Sequence, residues 1–203
     1  MISITLLNIK DNEEKIKEVY SLNPDYIHVD IMDGRFVSNT VDFLELPETT
    51  IPKDVHLMVY DIKKYVDYYS KYHPEYITFH LEATEDIEEM INYIRKKNSK
   101  VGISISPDTP VERIIPFLDK IDLVLVMSVV PGRGGQEFLE GSKEKLDYLK
   151  VLRDEKHYSY LIEVDGGVNN ITKEMCKSAD ILVVGSYLTM SDHYQEKYQS
   201  MLK

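Results

Sequence analysis

Tyr26-Ile27-His28-Val29-Asp30-Ile31-Met32-Asp33-Gly34 alternates without interruption from Ile27 to Met32. A strand sends successive side chains to opposite faces. Ile27, Val29 and Ile31 therefore make one aliphatic face, and His28, Asp30 and Met32 make another of different chemistry. Two later runs repeat the design. In Asp54-Val55-His56-Leu57-Met58-Val59, the residues Val55, Leu57 and Val59 oppose His56 and Met58. In Ile162-Glu163-Val164-Asp165-Gly166-Gly167, Ile162 and Val164 oppose Glu163 and Asp165. An aliphatic face can pack under helices, which leaves the other face to line the inside of a closed sheet.

The rest of the chain supplies the remaining staves. Strand-like runs fall at Ile2–Leu7, Tyr76–Leu81, Val101–Ile105, Leu123–Ser128 and Ile181–Val184, making eight with the three above. Helical patterns fill the gaps at Asn12–Ser21, Ile62–Lys71, Asp86–Lys97, Pro110–Asp119, Glu140–Asp154, Thr172–Ser178 and Ser191–Leu202. Thr109-Pro110-Val111-Glu112 reads as a capping box with proline in the first turn. Between the second and third runs only Val41–Leu46 is available, with Pro47 and Pro52 beyond it, so the second helix is expected to be stunted or missing. Alternation of this kind fits either a doubly wound open sheet or a closed barrel. An open sheet gathers its ligands at one switch point. Here polar residues or glycines finish five runs alike, as a barrel with its active site at the C-terminal face requires. The expectation is a single α/β domain over residues 1–203, a (β/α)8 TIM barrel with a shortened second helix.

The chain has 203 residues and 43% hydrophobic content, enough for one sizeable core. A net charge of −11 argues against nucleic acid or an anionic membrane surface as partner. The single cysteine, Cys176, excludes an internal disulfide and fits the reducing cytoplasm. No stretch reaches the length of a membrane span, and the polar Lys10–Lys17 region does not fit a signal peptide.

His28, Asp30, His56 and Asp165 all fall at the same end of their runs. Two imidazoles with two carboxylates suit one divalent transition metal per chain, Zn²⁺, Fe²⁺, Mn²⁺ or Co²⁺, rather than Ca²⁺. Such an ion can stabilise an enediolate made by removing a proton beside a carbonyl. One aspartate would take the proton on one face and the other would return a proton on the opposite face, inverting the carbon. Met32, Met58 and Met127 share the inward parity, where they would either pack against a planar intermediate or fill the core. His80, Glu82 and Glu163 also point inward, and would either support the metal ligands or stabilise the barrel as a buried polar network. His73, His157 and His193 lie among charged residues and are expected at the surface.

Glycines let a backbone approach an anion and present N–H groups to it. Pro131-Gly132-Arg133-Gly134-Gly135-Gln136, Asp165-Gly166-Gly167 and Gly185-Ser186 follow three consecutive runs. They are expected to cradle a phosphate.

These segments, together with Thr78-Phe-His-Leu-Glu-Ala83 and Val126-Met127, resemble the ribulose-phosphate 3-epimerases, from Ile2 to about Ser186. The resemblance implies a barrel acting on a small sugar phosphate. It assigns the metal to His28, Asp30, His56 and Asp165, with Asp30 as proton acceptor and Asp165 as donor. It assigns phosphate contacts to Gly132, Gly134, Gly135, Gly166, Gly167, Gly185 and Ser186; Thr5, His56 and Asp165 are expected beside the substrate as well, and Arg133, which the family lacks, would either add a charge-assisted contact there or lie in solvent. The expected activity is interconversion of D-ribulose 5-phosphate and D-xylulose 5-phosphate in the pentose phosphate pathway. Two alternatives stand beside it: the same chemistry on a ketohexose 6-phosphate such as allulose 6-phosphate, and a non-catalytic sugar-phosphate-binding barrel. The chain departs from the family in three places. Thr5 stands where serine is usual, Arg133 replaces an apolar aromatic, and Gly34-Arg-Phe-Val-Ser-Asn39 replaces Gly-His-Phe-Val-Pro-Asn. The short second helix would also alter a face open to a homo-oligomer.

Overall fold

The computed structural model describes residues 1–202. Eight parallel strands close on themselves: β1 (Ile2–Thr5), β2 (Tyr26–Asp33), β4 (Lys53–Met58), β5 (Tyr76–His80), β6 (Lys100–Ile105), β7 (Leu123–Met127), β8 (Leu161–Asp165) and β9 (Ile181–Val184). Closure comes from β1, which pairs with β2 on one side and β9 on the other. A two-residue β3 (Thr40–Val41) runs antiparallel to the end of β2.

Among the described residues six α-helices accompany the barrel: α1 (Glu13–Ser21), α2 (Ile62–Tyr69), α3 (Ile87–Arg95), α4 (Ser142–Lys156), α5 (Ser186–Thr189) and α6 (Tyr194–Leu202). Their sequences explain them. The Asn12 carboxamide accepts from the Lys15 N–H at 3.1 Å and caps α1. In α2 the buried positions Ile62, Tyr65, Val66 and Tyr69 follow the i, i+3, i+4, i+7 rule of an apolar stripe, and Ile87, Met90, Ile91 and Ile94 do the same in α3. His157, in the left-handed region at φ 55°, terminates α4 by returning its N–H to the Arg153 carbonyl.

Three local expectations change. The segment Pro110–Asp119 is not an α-helix but two 3₁₀ turns, Val111–Arg113 and Ile115–Phe117. Pro116 removes the N–H that an α-ladder needs there, and the Thr109 hydroxyl donates to Glu82 rather than capping. Thr172–Cys176 is likewise 3₁₀. Between Asp33 and Lys53 there is no helix at all, only β3 and irregular chain around Pro47 and Pro52.

The predicted parity holds. Ile27, Val29, Ile31, Val55, Leu57, Ile162 and Val164 join the large core between barrel and helices. Inside the barrel the N-terminal end is plugged by Tyr76, Leu123 and Ile181, with Tyr26 and Leu161 against them. Above this plug the interior turns polar: Ser3, His28, Asp54, Thr78, Ser104 and Glu163 are all buried. That polar floor carries the site at the C-terminal end.

Candidate active site

Neighbouring strands bring the first three metal-ligating candidates together. Asp30 of β2 lies in register with His56 of β4, two residues above the pairing of His28 with Asp54. A single Asp30 oxygen, Oδ1, is 3.4 Å from His28 Nε2 and 3.4 Å from His56 Nδ1. Asp165 arrives from β8 across the mouth. One ligand atom from each of His28, Asp30, His56 and Asp165 lies within 4.8 Å of all the others.

The donor set fits a divalent transition metal on a specific observation. His28 Nε2 and His56 Nδ1 are fully buried and have no hydrogen-bond partner. A buried polar atom without a partner is costly, and both nitrogens face the same oxygen of Asp30. Their other nitrogens are occupied. His28 Nδ1 lies 2.6 Å from Asp54 Oδ2, which holds a proton on that nitrogen and leaves Nε2 as the one a metal could take. His56 Nε2 lies 2.9 Å from His80 Nε2.

The two aspartates occupy different electrostatic settings. Burial alone would push the Asp30 carboxyl up, but His28 and His56 outweigh it and hold it well below the usual range. The Thr5 hydroxyl adds a 2.5 Å bond to Asp30 Oδ2. Asp165 has weaker support, from the charge of His28 and the Gly166 N–H. Burial, followed by the charge of Asp30, pushes it up to about 7, although the residue keeps a partly exposed edge on the cavity. Burial pulls His28 down, yet Asp54 and then Asp30 outweigh it and hold it well above its ordinary value. Burial lowers His56, and brings His80 to about 4. Glu163 is raised well above the carboxylate range by burial and by Asp54. It shares His28 and Asp54 as neighbours in a second acidic cluster below the first.

A cavity of about 560 Å³ opens over this centre. Thr5, Asp30, Asp165, all three inward methionines and every glycine-loop residue singled out in the sequence line it, Gly132 to Gly135, Gly166, Gly167, Gly185 and Ser186 among them. Arg133 is exposed at its rim. His28 and His56 sit beneath the wall rather than on it. Met32 and Met58 pair across β2 and β4 and are buried with Val41, while Met127 packs with Leu125 and Val129. The loops need their glycines for space. Gly167, at φ +64°, has the backbone of Phe138 where a Cβ would stand, and a Cβ on Gly185 would lie 2.9 Å from the Thr5 methyl. His73, His157 and His193 are exposed, as expected.

Two members of the site were not singled out from sequence. Asp54 precedes His56 by two residues, and the same parity rule would have found it. Asn8 lies in the loop after β1 and donates to Ser186 Oγ at 2.9 Å, tying that loop to the proposed phosphate end; no local pattern marks it.

Comparison with known proteins agrees with this geometry. Residues 1–189 match the profile of the Ribulose-phosphate 3 epimerase family. The chain is 37% identical over 190 residues to the ribulose-phosphate 3-epimerase of Buchnera aphidicola, covering 90% of this chain and 83% of that one. It is 39% identical over 180 residues to that of Bacillus subtilis, covering 85% and 83%. Among solved structures, a mutant tryptophan synthase α-subunit from Pyrococcus furiosus superposes with a TM-score of 0.68 at 14% identity, over 99% of this chain and 96% of that one. That likeness speaks for the barrel alone. With the profile spanning all eight barrel strands and relatives well above 30% identity, the chain belongs to the ribulose-phosphate 3-epimerase family.

Proposed function

We propose that the chain is a metal-dependent isomerase that interconverts D-ribulose 5-phosphate and D-xylulose 5-phosphate at C3. The observation that carries this reading is the pairing of two aspartates in opposed settings on one cavity, beside two buried imidazole nitrogens without partners. Mere binding of a sugar phosphate needs neither feature.

His28, Asp30, His56 and Asp165 would hold the metal, one ion of Zn²⁺, Fe²⁺, Mn²⁺ or Co²⁺ per chain. The bound ion supplies a Lewis acid for the negative charge that develops on the substrate oxygens. Asp30, kept ionised, takes the C3 proton from one face. Asp165, which holds a proton more readily, returns one from the other face. For the reverse substrate the two exchange roles. Thr5 donates to Asp30 Oδ2 and fixes that carboxylate's orientation, which leaves Oδ1 for the centre. Met32, Met58 and Met127 pack against the planar enediolate and keep water from it. The N–H groups of Gly166, Gly167, Gly185 and Ser186 hold the phosphate, with Gly132 to Gly135 closing over it and Arg133 at the rim. Backbone donors suit an acidic chain, whose overall field repels the substrate. A cytoplasmic setting fits a single thiol, Cys176, that is buried and pushed up to about 12 by burial. Among the described residues no helix is long and apolar enough to cross a membrane.

The test is an assay of metal-loaded protein on D-ribulose 5-phosphate, with D-allulose 6-phosphate run beside it and metal content measured throughout. The expected result is about one ion per chain, activity lost on chelation and restored on reloading, and a higher kcat/KM for the pentose. Full activity in protein shown to be metal-free would sink the metal assignment. A preference for the hexose would move the substrate.

A further inference from the structure

His56 can bind a metal through Nδ1 only if its proton sits on Nε2, and nothing on β4 decides that. The deciding partner lies on the next strand. His56 Nε2 meets His80 Nε2 at 2.9 Å, with the ring centroids 5.0 Å apart and the ring planes 26° from parallel, as an in-plane N–H···N bond requires. One of these nitrogens must donate and the other accept. The choice passes through the His80 ring to its Nδ1, which lies 3.2 Å from Glu82 Oε2. A carboxylate only accepts. His80 Nδ1 therefore carries the proton, His80 Nε2 is left as acceptor, and His56 Nε2 must donate. Glu82 is itself held: its other oxygen accepts from the Ser106 N–H at 2.9 Å and from the Thr109 hydroxyl. Lys145 of α4 fixes that loop by donating to the carbonyls of Ser106, Pro107 and Thr109 at 3.1, 2.6 and 2.7 Å.

We propose that Glu82, acting through His80, is a positioning residue that sets the His56 tautomer and so presents the Nδ1 lone pair to the metal. The inference rests on the metal site proposed above and deepens it. It also replaces the open choice between ligand support and a merely stabilising polar network, for His80 and Glu82, with a direction of hydrogen bonding along a named chain of atoms.

The direction makes a sharp test possible. Glu82→Gln keeps size and shape but adds a donor. Its amide oxygen must take the place of Oε1, because the Ser106 N–H can only donate. The NH₂ group then faces His80 Nδ1 and turns it into an acceptor. His80 Nε2 becomes the donor, and the His56 proton is driven to Nδ1, toward the metal. Zn²⁺ affinity would be measured on chelator-stripped protein by competition with a chromophoric chelator. The tautomer would be read by ¹⁵N NMR of histidine-labelled protein, and thermal melting would be run alongside. Glu82→Gln is expected to weaken Zn²⁺ binding about 10- to 100-fold and to move the His56 proton to Nδ1. Glu82→Asp, still an acceptor only, is expected to keep the Nε2–H tautomer. Should Glu82→Gln not fold, His80→Gln and His80→Leu give the same reading. The glutamine can accept from His56 and donate to Glu82, so it should hold Zn²⁺ at least tenfold more tightly than the leucine variant. Unchanged Zn²⁺ affinity in Glu82→Gln, an unmoved His56 proton, or equal affinity in the two His80 variants would overturn the proposal. None of these readouts uses a sugar. A wild type inactive on ribulose 5-phosphate that still showed the Zn²⁺ loss would remove the proposed activity and leave this inference standing.

Discussion

Gly185 and Thr5 couple the two ends of the cavity, and a single methyl exposes the coupling. A Cβ built on Gly185 meets one atom within 4 Å, the Thr5 Cγ2 at 2.9 Å. Ordinary carbon contacts begin near 3.4 Å, so Gly185→Ala must move the Thr5 methyl by about 0.5 Å. The same threonine holds Asp30 through its 2.5 Å hydroxyl bond. A hydrogen bond to a charged group is worth about 1.5–3 kcal/mol. Losing about half of it, with part of the cost of an overpacked methyl, gives roughly 1–2 kcal/mol. That corresponds to a fall in kcat of about 5- to 30-fold. Thr5→Ser deletes the methyl and keeps the hydroxyl, so it should cost little alone and should rescue the alanine. The assay is kcat and KM on ribulose 5-phosphate for wild type, Thr5→Ser, Gly185→Ala and the double variant. The expected coupling is at least about 1 kcal/mol, well above the scatter of independent sites. Equal losses in both Thr5 backgrounds would refute the reasoning. So would a Gly185→Ala enzyme that loses KM alone, because the added carbon would then stand against the phosphate and not against Thr5.

Asp30→Asn and Asp165→Asn are each expected to lower kcat by at least about 10²-fold, the low end of an acid–base contribution; metal content measured with kinetics separates proton transfer from lost ligation. In heavy water the wild type should place solvent deuterium at the inverted carbon, and inversion without label, with internal return excluded, would rule out two bases. The metal-stripped protein should show a pH effect of defined sign. Because folding raises Asp165 to about 7, its contribution to stability is full below its ordinary value near 4 and is lost as pH rises through 7. Between pH 4 and 8 the wild type should therefore lose on the order of a few kcal/mol more stability than Asp165→Asn, as read by denaturant melts at each pH.

What the sequence disclosed follows the reach of each signal. Period-two alternation in Tyr26–Met32 and its echoes is local, and it placed the barrel, the inward faces and the cluster of His28, Asp30, His56 and Asp165 together. Helix signals failed where a longer-range partner competed. Thr109 reads as a cap until Glu82, on another strand end, takes its hydroxyl. The segment before β4 shows the same limit from the other side: its prolines marked a break, but the replacement of the helix by β3 depends on pairing with Asp33 and Met32. Asp54 lies within reach of the same parity rule, whereas Asn8 is defined by its contact with Ser186, far away in sequence. Whether His80 and Glu82 support ligands or only fill space is a matter of which nitrogen meets which oxygen, and no spacing encodes that.

The unequal aspartates explain why this site needs more than two carboxylates. Both imidazoles and Thr5 stand on the Asp30 side, on β1, β2 and β4. On the β8 side the inward neighbour of Asp165 is Glu163, which burial keeps protonated and which brings no positive charge. In the proposed mechanism a turnover takes a proton onto Asp30 and off Asp165, against the preference that the protein alone imposes. An enzyme that runs in both directions cannot leave its two end states so far apart. Levelling them requires positive charge shared by both carboxylates. Among the described residues, the buried side-chain nitrogens without a partner are His28 Nε2 and His56 Nδ1, and both point to where that charge would sit. The residues that keep Asp30 ionised are thus the ones that would hold the ion, and in the proposed mechanism the ion is what would let Asp165 give up its proton.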